Sequence, residues 1–525
     1  MRPVPLTGPR PAEIAGLAPP PNDGDVLVRP RPAEMAISAL QNAASLRTAG
    51  FTILDRPLSE WRRLTRLATV GSDDGSLIVT GHQPSFVHAG VWAKFVVASR
   101  LAEAVQGQAL NLVVDSVTVT ESVLRAPIVE DRHVSVRAVP LPTLKANRLY
   151  EQIEPLTAEQ IESFRAALRK SLGPRYERTL LPLLIDGIAS EKASSGLADQ
   201  LVAGRRTVEQ AWGIHLSDCK VSRIRWLPLL AELIENAERF LGAHNRALES
   251  YRRQHRVRGQ GRPVPDLMSQ GSRLELPAWA FRSNENRRRV FVKREGSFSQ
   301  LWAEGDLIGE FSMQQLRDWA NRCEDSCEWN GWRIRPRALM LTLWARLMLA
   351  DYFIHGIGGA KYDQITDAII VEYFGIAPPL FACVTATLRL ALPVSGIDRD
   401  RIRQLRHELR DLQCNPQRWV PQTPAIQLLL ARRAEAVRRS CDLREKRSDH
   451  SARAAAFDEI RSLNQAILAV CPELARAKQA QIMEALGDFT RDRLALDREY
   501  FFALFDRPQI KRLLDALPQP SDFGV

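Results

Sequence analysis

Ser76–Lys94 reads SLIVTGHQPSFVHAGVWAK and changes character twice within a few residues. Leu77–Thr80 is a short β-branched run that predicts a buried strand. Gly81–Gly90 is a loop holding two glycines, a proline and two histidines. From Val91 to Val105 the apolar residues Val91, Phe95, Ala98, Ala102 and Val105 follow helical spacing. Strand, glycine loop and helix in that order place backbone N–H groups and a helix N-terminus at the edge of a parallel sheet. Such edges bind anions, above all phosphates. His82, Gln83, Ser85 and His88 project there, so this stretch is read as the first crossover of a nucleotide-binding-type domain and the lip of its active site. Gly81, Gln83, Ser85, Gly90 and Lys94 are its expected phosphate-binding residues.

A second stretch repeats the theme. Asp351–Asp367 reads DYFIHGIGGAKYDQITD, in which a strand-like lead runs into His355 and then Gly356, Gly358 and Gly359. Three glycines in four residues let a backbone approach a ligand closely. Lys361 is a flexible cation suited to phosphate or carboxylate. Tyr362 offers a ring or a hydroxyl, and Asp363 and Asp367 share one helix face. The competing reading is a tight strand-to-helix turn with a solvated lysine and aspartate. Two glycine–histidine loops, each after a strand, favour one shared site.

Between these loops, Leu110–Asp115 (LNLVVD) predicts the second parallel strand, and Asp115 at its carboxyl end is a candidate for holding an amine, a ribose hydroxyl or Mg²⁺. Val134–Leu141 predicts a third. Residues 157–256 are read as a mostly helical insertion at about 157–260, with helices near 158–171, 176–189, 194–212 and 226–256. Strand is expected again at Arg289–Lys293, Phe353–His355 and Cys383–Leu390, and helix at Met313–Arg322 and Arg337–Leu349. Leu274–Phe281 (LELPAWAF) lies outside the expected sheet. There Glu275 and Trp279 are read as a substrate-pocket wall, or else as a core-packed aromatic segment.

Residues 1–33 contain nine of the 32 prolines, which predicts an extended arm over the surface or a disordered one. Ala33–Thr48 and Leu58–Ala68 are read as helices leading into the sheet. Beyond Asp398 the pattern is nearly continuous amphipathic helix to Leu517. Two apolar stripes joined near Arg447–Ser451 predict an antiparallel, coiled-coil-like hairpin, serving as a dimer contact, a lid, or a packed subdomain. The fold class is therefore α/β: a parallel-sheet core at 73–396 behind an N-terminal arm and lead-in helices at 1–72, with inserted helices and a C-terminal hairpin and terminal helix at 397–525.

Composition narrows the function classes. The 525 residues are 45% hydrophobic and 25% charged, as in ordinary globular proteins. No window approaches 18 uninterrupted apolar residues, so no membrane partner is expected. The proline-rich start lacks the apolar run of a signal peptide. Seven irregularly spaced cysteines fit the reduced thiols of a cytoplasmic protein, and the lone Cys323/Cys327 pair predicts no metal. The formal charge of +11 suits an anionic partner. Its two arginine clusters, Arg252–Arg262 and Arg282–Arg294, lack interleaved aromatics, which argues against nucleic acid. There is no Walker loop, G-x-S-x-G elbow, HExxH or G-x-G-x-x-G after the first strand.

Val79–Gln83 (VTGHQ) and the helix after it, the phrase Phe353–Ile376, and REYFFALFDRPQ at Arg498–Gln509 with the helical hairpin before it together carry a remote resemblance. The chain resembles the family of the bacillithiol-biosynthesis cysteine-adding enzyme over its whole length. Gly81, Gln83, Gly356, Gly358 and Tyr362 match that family's pattern. His82 stands where the family has glutamine. Only Asp115 corresponds to the family's acidic, histidine-containing run. The resemblance implies a Rossmann-like core akin to class I aminoacyl-tRNA synthetases and a coiled coil used in dimerisation. It also implies ligation of an activated amino-acid carboxylate, cysteine in that family, to an amine of a small acidic or sugar-derived acceptor.

The leading expectation is thus an amide-forming ligase using ATP or another adenine nucleotide, with Mg²⁺ as a candidate ion. His82, His88 and Asp115 are its expected catalytic groups. His355, Lys361, Tyr362, Asp363, Glu275 and Trp279 are its expected substrate contacts. A catalytically diverged nucleotide- or metabolite-binding protein on the same fold is the alternative. An RNA-associated synthetase-like protein is a third, resting on charge alone.

Overall fold

The computed structural model describes residues 14–119, 122–130, 133–142, 148–191, 196–257, 264–322, 327–447 and 449–524. Residues 1–13 of the arm, Cys323 and part of the Arg252–Arg262 cluster lie outside them. The chain is mixed α/β and divides into two compact units, one of residues 14–126, 137–390 and 498–524, the other of 127–136 and 391–497.

The larger unit is built on a six-stranded sheet. Its strands are β1 (Val26–Arg29), β2 (Leu77–His82), β3 (Gln108–Val113), β4 (Ser217–Lys220), β5 (Tyr352–His355) and β6 (Phe381–Ala386), in the spatial order β1-β6-β5-β2-β3-β4. β2 to β6 run parallel, and β1 joins β6 antiparallel at the edge. From β2 the chain steps outward to β3 and β4 on one side, then crosses back to lay β5 and β6 on the other. The strand order therefore reverses between β2 and β5, where Ile354 lies beside Thr80. Ligands of open α/β sheets bind outside the carboxyl ends of the strands at such a reversal.

Leu77, Ile78, Val79 and Thr80 are all buried, as an apolar run covered on both faces requires. Helix α1 (Ala89–Ala104) follows β2 and is buried on almost every side rather than along the single predicted stripe. Helix α2 (Ile357–Ile369) follows β5. Asp351, just before β5, anchors the amino end of the sheet. Its buried carboxylate accepts from Arg62 at 2.7 Å, from Arg66 at 2.8 Å and from the Leu77 N–H at 2.8 Å. Both arginines come from the helix Leu58–Val70.

Two expectations about this sheet are corrected. Val134–Leu141 is not its third strand. His133–Pro140 pairs with Val123–Glu130 in a separate two-stranded sheet, and its partial exposure matches its alternating sequence. The third parallel strand is Ser217–Lys220 (SDCK), which is polar because it lies at the sheet edge and is only partly buried. The proline-rich arm is also more than a surface cover. Ile14 is buried and Val26–Arg29 supplies the other edge strand.

Leu274–Phe281 belongs to a second sheet. Arg273–Phe281 runs down the middle of seven strands, between Arg288–Glu295 and Trp332–Pro336. The expected strand at Arg289–Lys293 is part of this sheet too. The ladder between Arg273–Phe281 and Arg288–Glu295 shifts register between Leu276 and Trp279, where Pro277 has no N–H to donate.

The insertion is helical at Ala158–Leu172, Leu181–Ser190, Leu197–Gln210, Leu227–Glu235 and Ala237–Gln254, the last two separated at Asn236. In the smaller unit, Pro424–Glu445 and His450–Val470 run against each other. Arg433 on one donates to Asn464 on the other at 2.5 Å, and Arg439 pairs with Glu459 at 2.6 Å. Arg399–Cys414 and Pro472–Ala495 pack as a second pair around Ile402, Leu405, Ile482 and Ala485. Among the described residues no helix is long and apolar enough to cross a membrane.

Candidate functional site

A cleft of about 590 Å³ opens at the reversal between β2 and β5. Its floor is formed by the ends of those strands and the first turns of α1 and α2. The antiparallel sheet adds Trp279 and Arg287, and the C-terminal segment adds Arg498 and Glu499. The two glycine–histidine loops border one cleft. Their strands are sheet neighbours, joined by the Thr80 hydroxyl donating to the Ile354 carbonyl at 2.9 Å across 274 residues of sequence.

The glycines divide into two kinds. Gly90 and Gly359 are required by their neighbours, since a Cβ at 359 would lie 2.9 Å from His355 Nδ1 and one at 90 would meet three atoms within 2.6 Å. Gly356 and Gly358 are different. Among the described residues a Cβ at 358 meets nothing within 4 Å, one at 356 meets only Lys94 Cδ at 3.8 Å, and neither backbone is left-handed. The space those side chains would fill is the cleft. Gly356 also caps α2 without a side-chain hydrogen bond, so the first-turn N–H groups of that helix face the opening.

Lys94 is buried in the first half of α1 and donates from Nζ to the Gly81 carbonyl at 2.9 Å. Burial brings its pKa down to about 8. His82 is brought down to about 3, by burial first and by the Lys94 charge second, so it is neutral at physiological pH. His88 caps α1: its Nδ1 accepts from the Gly90 N–H at 3.0 Å, which leaves the proton on Nε2, 3.2 Å from Glu499. His355 contacts Asp363 at 2.8 Å, and Asp363 in turn accepts from Arg346 at 2.7 Å. Burial alone would raise the Asp363 carboxyl, but Arg346 and His355 together hold it well below the usual range. Arg346 lies in the π turn Ala345–Leu349 that ends its helix.

The structure therefore gathers Gly81, His82, His88, Gly90, Lys94, Trp279, His355, Gly356, Gly358 and Gly359 around one cleft. Other expected site residues lie elsewhere. Gln83 and Ser85 line a separate small pocket with Phe86, Leu184 and Phe501. Asp115 is buried and turned to Ser222, accepting from its N–H at 2.9 Å and its hydroxyl at 2.5 Å. Burial raises the pKa of that carboxyl against these hydrogen bonds. Glu275 accepts from Arg337 at 2.7 Å and from the Met268 N–H at 2.9 Å. Asp363 lies beneath His355, Tyr362 packs against Tyr251 with ring centroids 6.4 Å apart, and Lys361 is not among the residues lining the cleft.

Arg287, Arg498 and Glu499 line the cleft without having been predicted as site residues. Arg287 falls inside the arginine cluster noted above, and Arg498 opens the REYFF phrase. Neither signal says which way the side chain faces. Among the described residues, Glu499 is the one carboxylate lining the cleft, and no group of three His, Cys, Asp or Glu side chains is placed to hold a metal. A Mg²⁺ here would therefore be held by ligand phosphates with Glu499 at most.

No protein-family model matches the chain, and no curated protein matches it.

Proposed function

We propose that the chain is a nucleotide-dependent ligase that joins an activated amino-acid carboxylate to an amine, on a Rossmann-like core. The observation that carries the nucleotide part is the pair Gly356 and Gly358, whose missing side chains leave the N-terminus of α2 open to the cleft at the strand-order reversal. The ligase part rests on the resemblance to the cysteine-adding family.

A carboxylate does not condense with an amine in water unaided, and the nucleotide when bound supplies the phosphoryl or adenylyl group that makes it reactive. The chain's own residues set the charge. Lys94 and Arg498 stand against an anion, with only Glu499 opposing them among the described side chains of the cleft. A bound phosphate stabilises the charged form of Lys94. His82 stays neutral and acts as a hydrogen-bonding group. His88 holds Nε2 toward Glu499, which commits it to positioning α1 and the C-terminal segment.

Calorimetric titration of ATP with Mg²⁺ tests this reading. Gly358→Val should weaken ATP binding at least tenfold while the melting temperature stays close to wild type. No heat from ATP, ADP or AMP would remove the nucleotide. The second reading, a diverged binding protein in the cytoplasm, is favoured by Asp115, which faces Ser222 instead of the cleft. ATP binding with no ADP or AMP released in the presence of cysteine and an amino-sugar acceptor would select it.

The resemblance also supports a homodimer through the helical hairpin. Leu428 and Phe457 on its two helices are 67% and 60% exposed, and Met483 on the helix after it is 68% exposed. A sedimentation mass equal to one chain would remove that part.

A further inference from the structure

The cleft holds a positive charge that no carboxylate among the described residues pairs with. Arg287 precedes the strand Arg288–Glu295, and its guanidinium carbon lies 5.1 Å from the centre of the Trp279 ring. Arg337 lies 4.2 Å from the same ring. Trp279 lies just past the register shift at Pro277. Three guanidinium groups, those of Arg287, Arg289 and Arg337, gather around the strand. Glu275 is the carboxylate that faces them. It takes Arg337 at 2.7 Å and stands 4.0 Å from Arg289. Arg287 receives no share of it. It donates a long hydrogen bond, 3.4 Å, to the Ser116 carbonyl, and among the described residues no carboxylate pairs with it. Burial first and the Arg337 charge second lower its pKa.

We propose that Arg287, held against Trp279, binds a carboxylate of the co-substrate that stays ionised through the reaction. The inference rests on the ligase reading of the cleft. A guanidinium backed by an indole presents a fixed planar fork, which matches the two oxygens of a carboxylate. A carboxylate held by both oxygens is a poor nucleophile, so the group at Arg287 is not the one that becomes activated. The phosphate cradle belongs to different elements, α1 and α2. Arg287 is carried by the antiparallel sheet, so the two anions have separate holders. The co-substrate is accordingly a small molecule with a carboxylate besides its reacting group. Lys361, expected to bind the acidic part of the substrate, is not among the cleft's residues, and Arg287 takes that role.

The test uses the full chain as wild type, Arg287→Ala and Arg287→Lys, titrated with succinate and separately with ATP and Mg²⁺. Wild type should bind succinate. Arg287→Ala should bind it at least tenfold more weakly with ATP affinity within twofold of wild type. Arg287→Lys, which keeps the charge and loses the fork, should recover only part. Succinate binding that is absent from wild type or unchanged in Arg287→Ala overturns the proposal. Equal weakening of succinate and ATP also overturns it and makes Arg287 a phosphate ligand. If Arg287→Ala does not fold, full succinate affinity in Arg287→Lys overturns the fork. If ATP binds to none of the three while the succinate loss holds, the nucleotide reading fails and the carboxylate subsite stands.

Discussion

Gly90 and Arg498 are packed so closely that a Cβ on residue 90 would lie 2.5 Å from Arg498 Nη2. The same Cβ would lie 2.6 Å from the Ala386 carbonyl and 2.6 Å from the Thr385 hydroxyl, and Arg498 donates to both of those groups, at 3.0 and 3.2 Å. The glycine of the first loop thus makes room for the segment that brings Arg498 and Glu499 to the cleft. Phe502 fastens the same segment to the loop by donating its N–H to the Val87 carbonyl at 2.9 Å.

Gly90→Ala should therefore destabilise the larger unit by about 1–3 kcal/mol, the usual cost of overpacking. Ala386 offers a backbone atom that does not swing away, so Arg498 must move. Urea denaturation measures the loss. Wild-type stability in the variant would show that Arg498 is not seated on residue 90.

Asp351→Asn should cost about 3–5 kcal/mol, because it takes the anion from buried Arg62 and leaves buried Arg66 with only the part-exposed Asp73 at 3.3 Å. Arg62 already pays for burial, which brings its pKa to about 10 despite Asp351. Replacing Arg62, Arg66 and Asp351 together by apolar residues should cost less than the single change, and urea midpoints compare the two.

Lys94 gives stability a defined pH dependence. Its folded pKa of about 8 lies below the ordinary lysine value of 10.5. Between those values the unfolded chain binds the extra proton, so stability rises with pH through that window, at up to about 1.4 kcal/mol per pH unit. Below pH 8 the buried charge opposes folding in full. Anion affinity runs the other way and falls as pH rises past 8, because the neutral amine no longer attracts a phosphate. Lys94→Met should flatten both profiles, and stability and pyrophosphate binding measured from pH 7 to 10 check this.

Asp115→Ala should lower stability by about 1–3 kcal/mol through the loss of the Ser222 hydrogen bonds while leaving ATP affinity unchanged. Loss of ATP binding without loss of stability would return Asp115 to the site.

What was legible in the sequence was local. Leu77–Thr80, Gly81–Gly90 and the helix after them are specified by residues next to one another: a β-branched run, a loop with no side chain at two positions, and apolar spacing near 3.6. The same holds for Asp351–Asp367, and for the hairpin helices, whose stripes repeat over many turns. Ser217–Lys220 escaped notice because an edge strand needs no apolar run, and Val134–Leu141 misled because a two-stranded hairpin alternates much as a sheet strand does.

The sequence by itself determined that two strand–glycine–helix units exist and that each carries histidine. Only the tertiary structure decided that they meet, because strand neighbours are chosen by packing across the sheet between segments far apart in the chain. It also decided which way each polar side chain faces. Asp115 finds Ser222, Glu275 finds Arg337 and Asp363 finds Arg346, since a buried charge turns toward the nearest opposite charge or hydrogen-bond donor the fold supplies. Arg287 lines the cleft, while Glu275 is taken by Arg337 and Glu285 by Arg288.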